Sequence, residues 1–414
     1  MKFLFGLVIC GSLSAWAGEP APAFALHDGD RVVFYGDSIT QDGGYARMVE
    51  AYARSRYPSW DLRFYNAGVG GDTTKGGSAG AAVVRLDRDV ISLKPTVVTI
   101  MLGMNDGGYR RLDPETLAGF TERLRAIVEK LKAELPSVRL YLIRTSPFDD
   151  ISRPPDFDPG YDTVLRQLGE AVALLGREQH ADVVDFGHCV DDGIKAVSAE
   201  NRALARQILP DRVHPSPAGH LVMGAALLRA WQAPALVARV ALDARSSAIV
   251  DAENTRVSAL TVAGGRITWD ELDRSLPLPL SWENADTELA QKAGAALETL
   301  DDEPLLISGL RPGRYEVRID EQLVGTFSSA ELERGVNLAR YNTPMRWQAY
   351  PVQWGAESGH QVQRVRRELL VAAAGDPSLS AAADRLGVWE EAQQSARSRA
   401  ATPKSRQYRV TLVP

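Results

Sequence analysis

Cysteine is nearly absent from this 414-residue chain, which contains only Cys10 and Cys189. Cys10 lies in a segment that we expect to be removed on export, so the mature chain would keep one cysteine and could form no intrachain disulfide. Beyond that first segment the chain also lacks an apolar run long enough to span a bilayer. The sequence therefore excludes a polytopic membrane protein.

An excess of basic charge is lacking as well. The 47 Lys and Arg residues against 53 Asp and Glu residues give a net charge of −6. Binding to nucleic acid needs a basic face that neutralises phosphates, so a nucleic-acid partner is not expected. Apolar residues make up 45% and charged residues 24% of the chain, which excludes a disordered or collagen-like protein. This length predicts two or three domains.

The first twenty residues predict an exported protein. Lys2 supplies a positive start, Phe3–Ser14 is apolar or small, and Ala15-Trp16-Ala17 forms a cleavage signal of the A-x-A type. A lipoprotein attached through Cys10 is the alternative, but Ile9 stands where a lipoprotein signal needs a small residue. We expect a signal peptide over residues 1–17 and a secreted or periplasmic protein.

From residue 31 to residue 231, apolar strands alternate with amphipathic helices. Strands are predicted at Val32–Tyr35, Leu62–Tyr65, Val97–Leu102, Leu140–Ile143 and Val183–Phe186. Wholly apolar strands separated by helices are typical of a parallel sheet that is covered on both faces. Ligands of such sheets bind beyond the carboxyl ends of the strands. We expect this α/β domain to occupy residues 18–234.

After Pro234 the pattern changes to short strands between turns that contain Gly or Pro. We expect a smaller β-rich domain over residues 235–342, with a meander of strands at 305–307, 315–319 and 323–327 and one helix around 287–300. Residues 343–414 are expected to form a helical C-terminal segment. Its helix is predicted from about Gln361, followed by a loop at Gln393–Pro403 and a final strand at Arg409–Val413.

Four blocks of polar and glycine residues follow strands or lie in loops at one predicted edge of the sheet. They are Gly36-Asp37-Ser38-Ile39-Thr40, Asn66-Ala67-Gly68-Val69-Gly70-Gly71-Asp72-Thr73, Gly103-Met104-Asn105-Asp106 and Asp211-Arg212-Val213-His214-Pro215. A serine that follows the first strand projects at this edge, and it needs a general base and an oxyanion hole to act as a nucleophile. Taken alone, Ser38 could equally be the N-cap of a helix.

Together and in this order, the four blocks resemble those of the SGNH hydrolase superfamily, the GDSL-type esterases and lipases, over about residues 31–228. The resemblance implies a flavodoxin-like, three-layer α/β/α catalytic domain. It implies that Ser38 is the nucleophile, His214 its base and Asp211 the partner of the base. It also implies an oxyanion hole formed by the backbone N–H groups of Ser38 and Gly71 and by the side-chain amide of Asn105.

These residue types suit those roles. Glycine lets a backbone N–H approach a ligand closely, and an amide is a neutral hydrogen-bond donor. The D-x-x-H spacing can place a carboxylate on one imidazole nitrogen while the other nitrogen faces the serine. The chain departs from the namesake motif at Ile39-Thr40, a variant that is common in members of the superfamily thought to act on carbohydrates.

The substrate is expected to be an acetylated carbohydrate. The loops Gln41–Tyr45 and Asp106–Arg110 are polar and rich in glycine, and they lack the apolar run that a lipid groove would need. We therefore predict a serine esterase that removes O-acetyl groups from a polysaccharide or oligosaccharide. A lipase, lysophospholipase or thioesterase of the same superfamily is one alternative. A catalytically silent carbohydrate-binding protein is the other.

Several aromatic and acidic residues are candidates for substrate contacts. Asp37, Tyr45 and Tyr109 are expected beside the substrate, although ordinary packing is the other interpretation of each tyrosine. Tryptophan stacks on sugar faces but also anchors cores and domain interfaces. Both interpretations stay open for four tryptophans in or near the β-rich domain: Trp269, Trp282, Trp347 and Trp354.

Competing motifs are weaker. Ser78 lies in a G-x-S-x-G match, but the preceding strand ends near Tyr65, so we expect Ser78 to cap a helix over Ala79–Ile91. Asp185 and His188 repeat the D-x-x-H spacing and are the rival acid–base pair. The remaining histidines show no metal-ligand spacing, and Gly68-Val69-Gly70 lacks the third glycine of a dinucleotide fingerprint. We expect no metal, no cofactor and no stable membrane insertion; the oligomeric state stays open.

Overall fold

The computed structural model describes residues 24–373 and 376–413, so the predicted signal peptide lies outside the described residues. The α/β part contains the following strands and helices in chain order: β1 (Arg31–Gly36), α1 (Ser38–Asp42), α2 (Gly44–Arg56), β2 (Arg63–Gly68), β3 (Gly76–Gly77), β4 (Gly80–Ala81), α3 (Ala82–Asp89), β5 (Val97–Met101), α4 (Pro114–Glu134), β6 (Arg139–Arg144), α5 (Tyr161–Glu178), β7 (Asp182–Asp185), α6 (Phe186–Glu200), α7 (Arg202–Ala205) and α8 (Pro217–Ala230).

Five of these strands form one parallel sheet in the order β2-β1-β5-β6-β7. This is the strand order of a flavodoxin-like fold, so the predicted fold class is confirmed. The apolar strands are buried because helices cover both faces of the sheet. Gly36 and Gly68 are register partners at the carboxyl ends of β1 and β2, and Met101 pairs with Gly36 at the end of β5. The loops that follow these three strands therefore meet at one edge.

The rest of the chain contains β8 (Arg239–Asp243), β9 (Ala248–Glu253), β10 (Thr255–Ala263), β11 (Arg266–Asp273), α9 (Ala285–Lys292), β12 (Pro304–Ser308), β13 (Arg314–Ile319), β14 (Gln322–Ser328), α10 (Ser329–Arg334), β15 (Val336–Asn337), α11 (Pro344–Ala372), α12 (Pro377–Ala400) and β16 (Arg406–Leu412). They form two further sheets, β10-β11-β16-β13-β14 and β15-β12-β8-β9. The last strand, β16, pairs antiparallel with both β11 and β13 and so lies in the middle of its sheet.

The two parts of the chain share contacts. The segment from Leu278 to Leu300, which includes α9, packs on the core of the α/β part rather than on the core of the β-rich part. Arg56 of α2 forms a buried ion pair with Asp301, with 3.2 Å between Nη2 and Oδ1. The domain boundaries at 234/235 and 342/343 stay predictions.

Helices α11 and α12 cover the open edge of the parallel sheet. β2 is an edge strand, and the backbone carbonyl of Phe64 accepts hydrogen bonds from the side-chain amides of Gln363 (2.9 Å) and Gln394 (2.8 Å). The backbone N–H of Asn66 donates to Oε1 of Gln363 at 2.8 Å. The side chains of the two glutamines thus form hydrogen bonds with the backbone of β2, as a neighbouring strand would. This protects an edge of the sheet that could otherwise pair with another chain.

Several local predictions were wrong. The C-terminal helical segment begins at Pro344, well before Gln361, and residues 393–400 continue α12 instead of forming a loop. Ala and Arg in that stretch favour helix, and Arg397 is buried against Glu50 of α2 at 3.3 Å. The predicted meander is divided, because β12 joins the second sheet while β13 and β14 pair in the first.

Ser78 does not cap a helix. It is exposed in the turn between β3 and β4, and α3 begins at Ala82 without a side-chain cap. The small ladder formed by these two strands delays the helix by three residues relative to the sequence-based expectation. Among the helices of the described residues, none is long and apolar enough to cross a membrane.

Candidate active site

Ser38 is the first residue of α1, two residues after the end of β1. The turn is tight at Gly36, where a Cβ atom would lie 2.2 Å from Oγ1 of Thr40 and 2.6 Å from the carbonyl oxygen of Met101. Only glycine fits this approach. Oδ1 of Asp37 caps the helix by accepting a hydrogen bond from the Ile39 N–H at 3.0 Å. Ser38 is therefore held at the carboxyl edge of the sheet.

Three side chains from the first and last sequence blocks form a hydrogen-bonded chain at this edge. Oγ of Ser38 lies 2.9 Å from Nε2 of His214, and Nδ1 of His214 lies 2.6 Å from Oδ2 of Asp211. The other carboxylate oxygen of Asp211 accepts the backbone N–H groups of Val213 (3.0 Å) and His214 (2.7 Å). An imidazole oriented in this way can accept the serine proton and release a nucleophilic oxygen.

The electrostatics of Asp211 favour its ionised form. Partial burial raises the pKa of this carboxyl, but the hydrogen bonds from the His214 side chain and from two backbone N–H groups outweigh burial and lower the pKa overall. An ionised Asp211 accepts a hydrogen bond from Nδ1–H of His214, which favours the neutral tautomer whose Nε2 carries no proton. This is the tautomer that can take a proton from Ser38.

The expected oxyanion-hole residues Ser38, Gly71 and Asn105 all follow strands that end at this edge of the sheet. Gly71 has φ +70°, a left-handed conformation that favours glycine, and open space surrounds its missing Cβ. Within the described residues, neither the Ser38 N–H nor the Gly71 N–H donates to a protein acceptor. Nδ2 of Asn105 donates one hydrogen bond, to the Asp72 carbonyl at 3.0 Å, so its second hydrogen can donate to a substrate.

Arg85 supports the loop that carries Gly71. Its buried guanidinium donates from Nε to Oδ2 of Asp72 at 2.9 Å and from Nη1 to the Ala67 carbonyl at 3.0 Å. It also reaches the Gly36 carbonyl at 3.3 Å and lies 4.0 Å from the ring centroid of Tyr35. One cation thereby joins the ends of β1 and β2 to the loop between β2 and β3. Sequence analysis did not identify Arg85, since no local pattern links it to Asp72.

Two of the three expected substrate contacts are contradicted. Tyr45 is fully buried, with its ring packed edge-on against Phe34 and Phe186 and its hydroxyl 3.0 Å from Oγ1 of Thr40. Asp37 is also fully buried, and burial raises its pKa to about 7. A substrate cannot reach either side chain, because each occupies an inward position of its helix or turn.

Tyr109 remains a candidate. Its side chain is 45% exposed, and its ring stacks on that of Tyr161 with centroids 4.7 Å apart. Its hydroxyl donates to Oδ1 of Asn105 at 3.1 Å, so Tyr109 orients the amide. Asp106, which follows Asn105 in the chain, accepts the Thr74 N–H at 2.9 Å and has a structural role in the same loop system.

In the part of the chain that the structure describes, no serine hydroxyl is hydrogen-bonded to the rival acid–base pair. Nδ1 of His188 lies 2.6 Å from Oδ2 of Asp185, and the same oxygen is 3.0 Å from Nη1 of Arg144. The small cavity beside this pair, about 90 Å³, contains no serine among its lining residues. The structure thus brings Ser38 to His214 and not to His188.

A cleft of about 440 Å³ opens at Ser38. One wall comes from the α/β part and the other from α11, and the nine lining residues are all polar or charged: Ser38, Gln41, Asp42, Arg47, His214, Glu357, His360, Gln361 and Arg364. Nε2 of the buried His220 lies 3.0 Å from Oδ1 of Asp42 and lowers the pKa of Asp42 to about 2, so the cleft contains a stable anion. Sequence analysis missed the α11 residues, because they lie more than 300 positions from Ser38.

A flavodoxin-like sheet with this serine, histidine, aspartate and asparagine arrangement at its carboxyl edge defines the SGNH class of hydrolases. The model of the GDSL-like lipase/acylhydrolase family matches residues 34–222, and the chain belongs to this family. It is an esterase, a carboxylic ester hydrolase.

Known proteins resemble the α/β part or almost the whole chain. The chain is 29% identical to an acetylxylan esterase of Geobacillus stearothermophilus over 222 residues, 49% of this chain and 94% of that protein. It is 32% identical to esterase TesA of Pseudomonas aeruginosa over 190 residues, 42% of this chain and 84% of that protein. The structure of a gut microbial diltiazem-metabolizing enzyme aligns with a TM-score of 0.82 at 23% identity, over 94% of this chain and 98% of that one. The last comparison shows that the added sheets and helices belong to a known arrangement.

Proposed function

We propose that this esterase removes O-acetyl groups from a polysaccharide or its oligosaccharides. The observation that carries the proposal is the composition of the cleft at Ser38, whose lining side chains are all polar or charged. A sugar alcohol offers hydroxyl groups to such a lining, whereas a long acyl chain would leave these groups without hydrogen-bond partners. The name of the Geobacillus relative supports the same substrate class.

The reaction then proceeds in two acyl-transfer steps. His214 takes the proton of Ser38 as Oγ attacks the acetyl carbonyl carbon, and the oxyanion accepts hydrogen bonds from Ser38 N–H, Gly71 N–H and Asn105. His214 returns the proton to the sugar oxygen as the ester bond breaks. Water, deprotonated by His214, attacks the acetyl-enzyme, and Ser38 leaves with the proton as acetate is released.

Export is part of the same proposal. The signal at residues 1–17 would bring the enzyme to polysaccharides outside the cytoplasm. Amino-terminal sequencing of protein recovered from the periplasm and medium tests it, with cleavage after Ala17 as the expected result. Recovery of the intact amino terminus in the cytoplasm would contradict export but not the ester chemistry.

The activity is tested with esters of different acyl length and with variants of two serines, Ser38 and Ser78. We expect p-nitrophenyl acetate to be hydrolysed about tenfold faster, or more, than the butyrate or octanoate, because the longer acyl chains do not fit the acyl pocket. We also expect the enzyme to release acetate from acetylated xylan. Ser38→Ala should lower kcat by several orders of magnitude, while Ser78→Ala, in an exposed turn, should not. Equal or faster turnover of the octanoate would instead support a lipase or thioesterase.

A further inference from the structure

A second cavity adjoins the cleft at Ser38. This cavity of about 370 Å³ shares Asp42 and Arg47 with the first. Its walls include the segment Leu278–Ser281 and the start of α9 on one side, and Tyr350 and Gln353 of α11 on another. The two cavities thus adjoin at Asp42 and Arg47 and lie along α11 between Tyr350 and Arg364, and together they are called the groove below.

The outward face of α11 changes character along this groove. The buried face of the helix packs on α2 and α12 through residues such as Val352, Ala356 and Gln363. On the opposite side, successive positions three or four residues apart share one face. They read Trp347, Tyr350, Trp354, Glu357, Gln361 and Arg364, so three aromatic residues precede three polar residues.

The aromatic half is exposed and ordered into a stack. Trp347 is 53% and Trp354 is 57% exposed. The Tyr350 ring lies between them, with its centroid 5.4 Å from that of Trp347 and 5.8 Å from that of Trp354, the latter pair nearly parallel at 19°. An amphipathic helix normally presents polar residues to water, and clustered exposed apolar side chains mark binding surfaces.

The other two tryptophans that the sequence singled out are structural. Trp269 is 1% exposed and stacks on Tyr408 with centroids 4.9 Å apart. Nε1 of Trp282 donates to the Ala339 carbonyl at 2.9 Å. Of the four candidates for sugar stacking, the pair on α11 is the exposed one, and the Tyr350 ring that contacts both of these tryptophans lines the second cavity.

We infer that the outer face of α11 binds the sugar chain beyond the acetylated unit. The acetylated sugar would lie among Glu357, Gln361 and Arg364 beside Ser38. Further sugars would follow the groove and stack on the exposed rings of Trp347 and Trp354. Tyr350 and Gln361 are eleven residues apart, about 16 Å along a helix, which accommodates more than one sugar ring. The inference rests on the proposed function, and it assigns chain-length preference to a helix outside the family match.

The occupant is a glycan rather than a membrane or a second copy of the chain. The stack adjoins a groove with the charged side chains Asp42, Arg47 and Glu357, and a sugar ring offers both a C–H face for an aromatic ring and hydroxyl groups for charged partners. The second cavity has apolar lining that includes Leu221 and Leu280, but Asp42, Arg47 and Asp286 line it as well. The stack therefore does not continue into a purely apolar surface that a lipid would need. Continuity with the site of ester hydrolysis therefore favours the substrate itself.

The experiment uses the full chain and a matched tryptophan. Trp347→Ala/Trp354→Ala is compared with Trp389→Ala, which removes an exposed tryptophan (44%) on a different helix, α12, outside the aromatic stack with Tyr350. Substrates are p-nitrophenyl acetate and acetylated xylo-oligosaccharides of increasing length. We expect KM for the longer oligosaccharides to rise about tenfold in the double variant, with p-nitrophenyl acetate kinetics unchanged. Trp354→Phe should keep most of the affinity for the longer oligosaccharides.

A binding measurement separates this inference from the proposed function. Ser38→Ala protein, with and without the two tryptophan substitutions, is titrated calorimetrically with xylohexaose, cellohexaose and mannohexaose. Binding that depends on the tryptophans supports the glycan surface even if no acetylated glycan is hydrolysed. Equal KM values in the double variant and in Trp389→Ala would overturn the inference and leave the esterase proposal intact. The inference would also be overturned if the only effect of the double substitution were the loss of a dimer or the loss of sedimentation with phosphatidylglycerol vesicles.

Discussion

Replacing Asn105 tests the proposed oxyanion hole directly. The amide is held at both ends: Nδ2 donates to the Asp72 carbonyl at 3.0 Å, and Oδ1 accepts the Tyr109 hydroxyl at 3.1 Å. The remaining hydrogen of Nδ2 is then free to bond the oxyanion that forms on the ester carbonyl. Removal of one such donor costs about 2.7–4 kcal/mol, or roughly 10²–10³ in kcat.

A graded series sharpens this test. Asn105→Ala should lower kcat for p-nitrophenyl acetate into that range with little change in KM, because the charge develops only in the transition state. Tyr109→Phe removes only the bond that orients the amide. A neutral hydrogen bond contributes about 1 kcal/mol, so we expect a decrease of roughly tenfold at most. Tyr341→Phe, whose ring packs edge-on against Phe327 in the β-rich part, is the matched control and should retain wild-type kinetics.

The assay is initial rates over a range of ester concentrations, with circular dichroism to confirm folding. An increase in KM at unchanged kcat for Asn105→Ala would refute the reasoning and make Asn105 a substrate-binding residue. A loss in Tyr109→Phe as large as that in Asn105→Ala would also refute it, since orientation alone cannot account for such an effect.

Two further predictions concern the base and the pH dependence of stability. His214→Ala should lower kcat by several orders of magnitude while His188→Ala stays near wild type; the opposite result would assign the base to the pair after β7. Burial, together with the charges of Asp273, Glu271 and Asp301, raises the pKa of Glu303 well above 4.5. The folded state therefore holds the carboxyl proton of Glu303 more tightly than the unfolded state does. The free energy of unfolding consequently falls as the pH rises above the unfolded-state pKa of this carboxyl. Glu303→Gln should therefore raise Tm by an amount that grows from about pH 5 to about pH 8 in differential scanning fluorimetry. For the exposed control Glu333→Gln, the difference in Tm from wild type should not depend on pH. A pH-independent difference in Tm for Glu303→Gln would contradict this explanation.

The sequence alone determined the α/β architecture and the position of the candidate site. Apolar strands with intervening helical stripes are local patterns, and parallel strands bring their carboxyl ends to one edge whatever the rest of the chain does. The blocks around Ser38, Gly71 and Asn105 each follow a strand, so their proximity could be predicted without coordinates. The pairing of Asp211 with His214 could also be predicted, because both residues lie within one short loop.

Burial of individual side chains could not be predicted in the same way. Tyr45 and Tyr109 lie in similar glycine-rich, polar surroundings in the sequence. The structure buries Tyr45 under Phe186 and His220 and leaves Tyr109 at the surface. Phe186 and His220 are more than 100 residues away from Tyr45, so no local pattern reports the contact.

The second wall of the cleft was decided by tertiary structure alone. Gln363 and Gln394 hydrogen-bond the backbone of β2 across about 300 residues of chain, and that attachment brings Glu357, Gln361 and Arg364 to Ser38. Helical periodicity shows which residues share a face of α11, but it carries no information about what that face meets. Motifs at strand ends are local in sequence and can therefore be recognised without a structure. The shape of the substrate groove, in contrast, depends on contacts that form only when distant segments pack together.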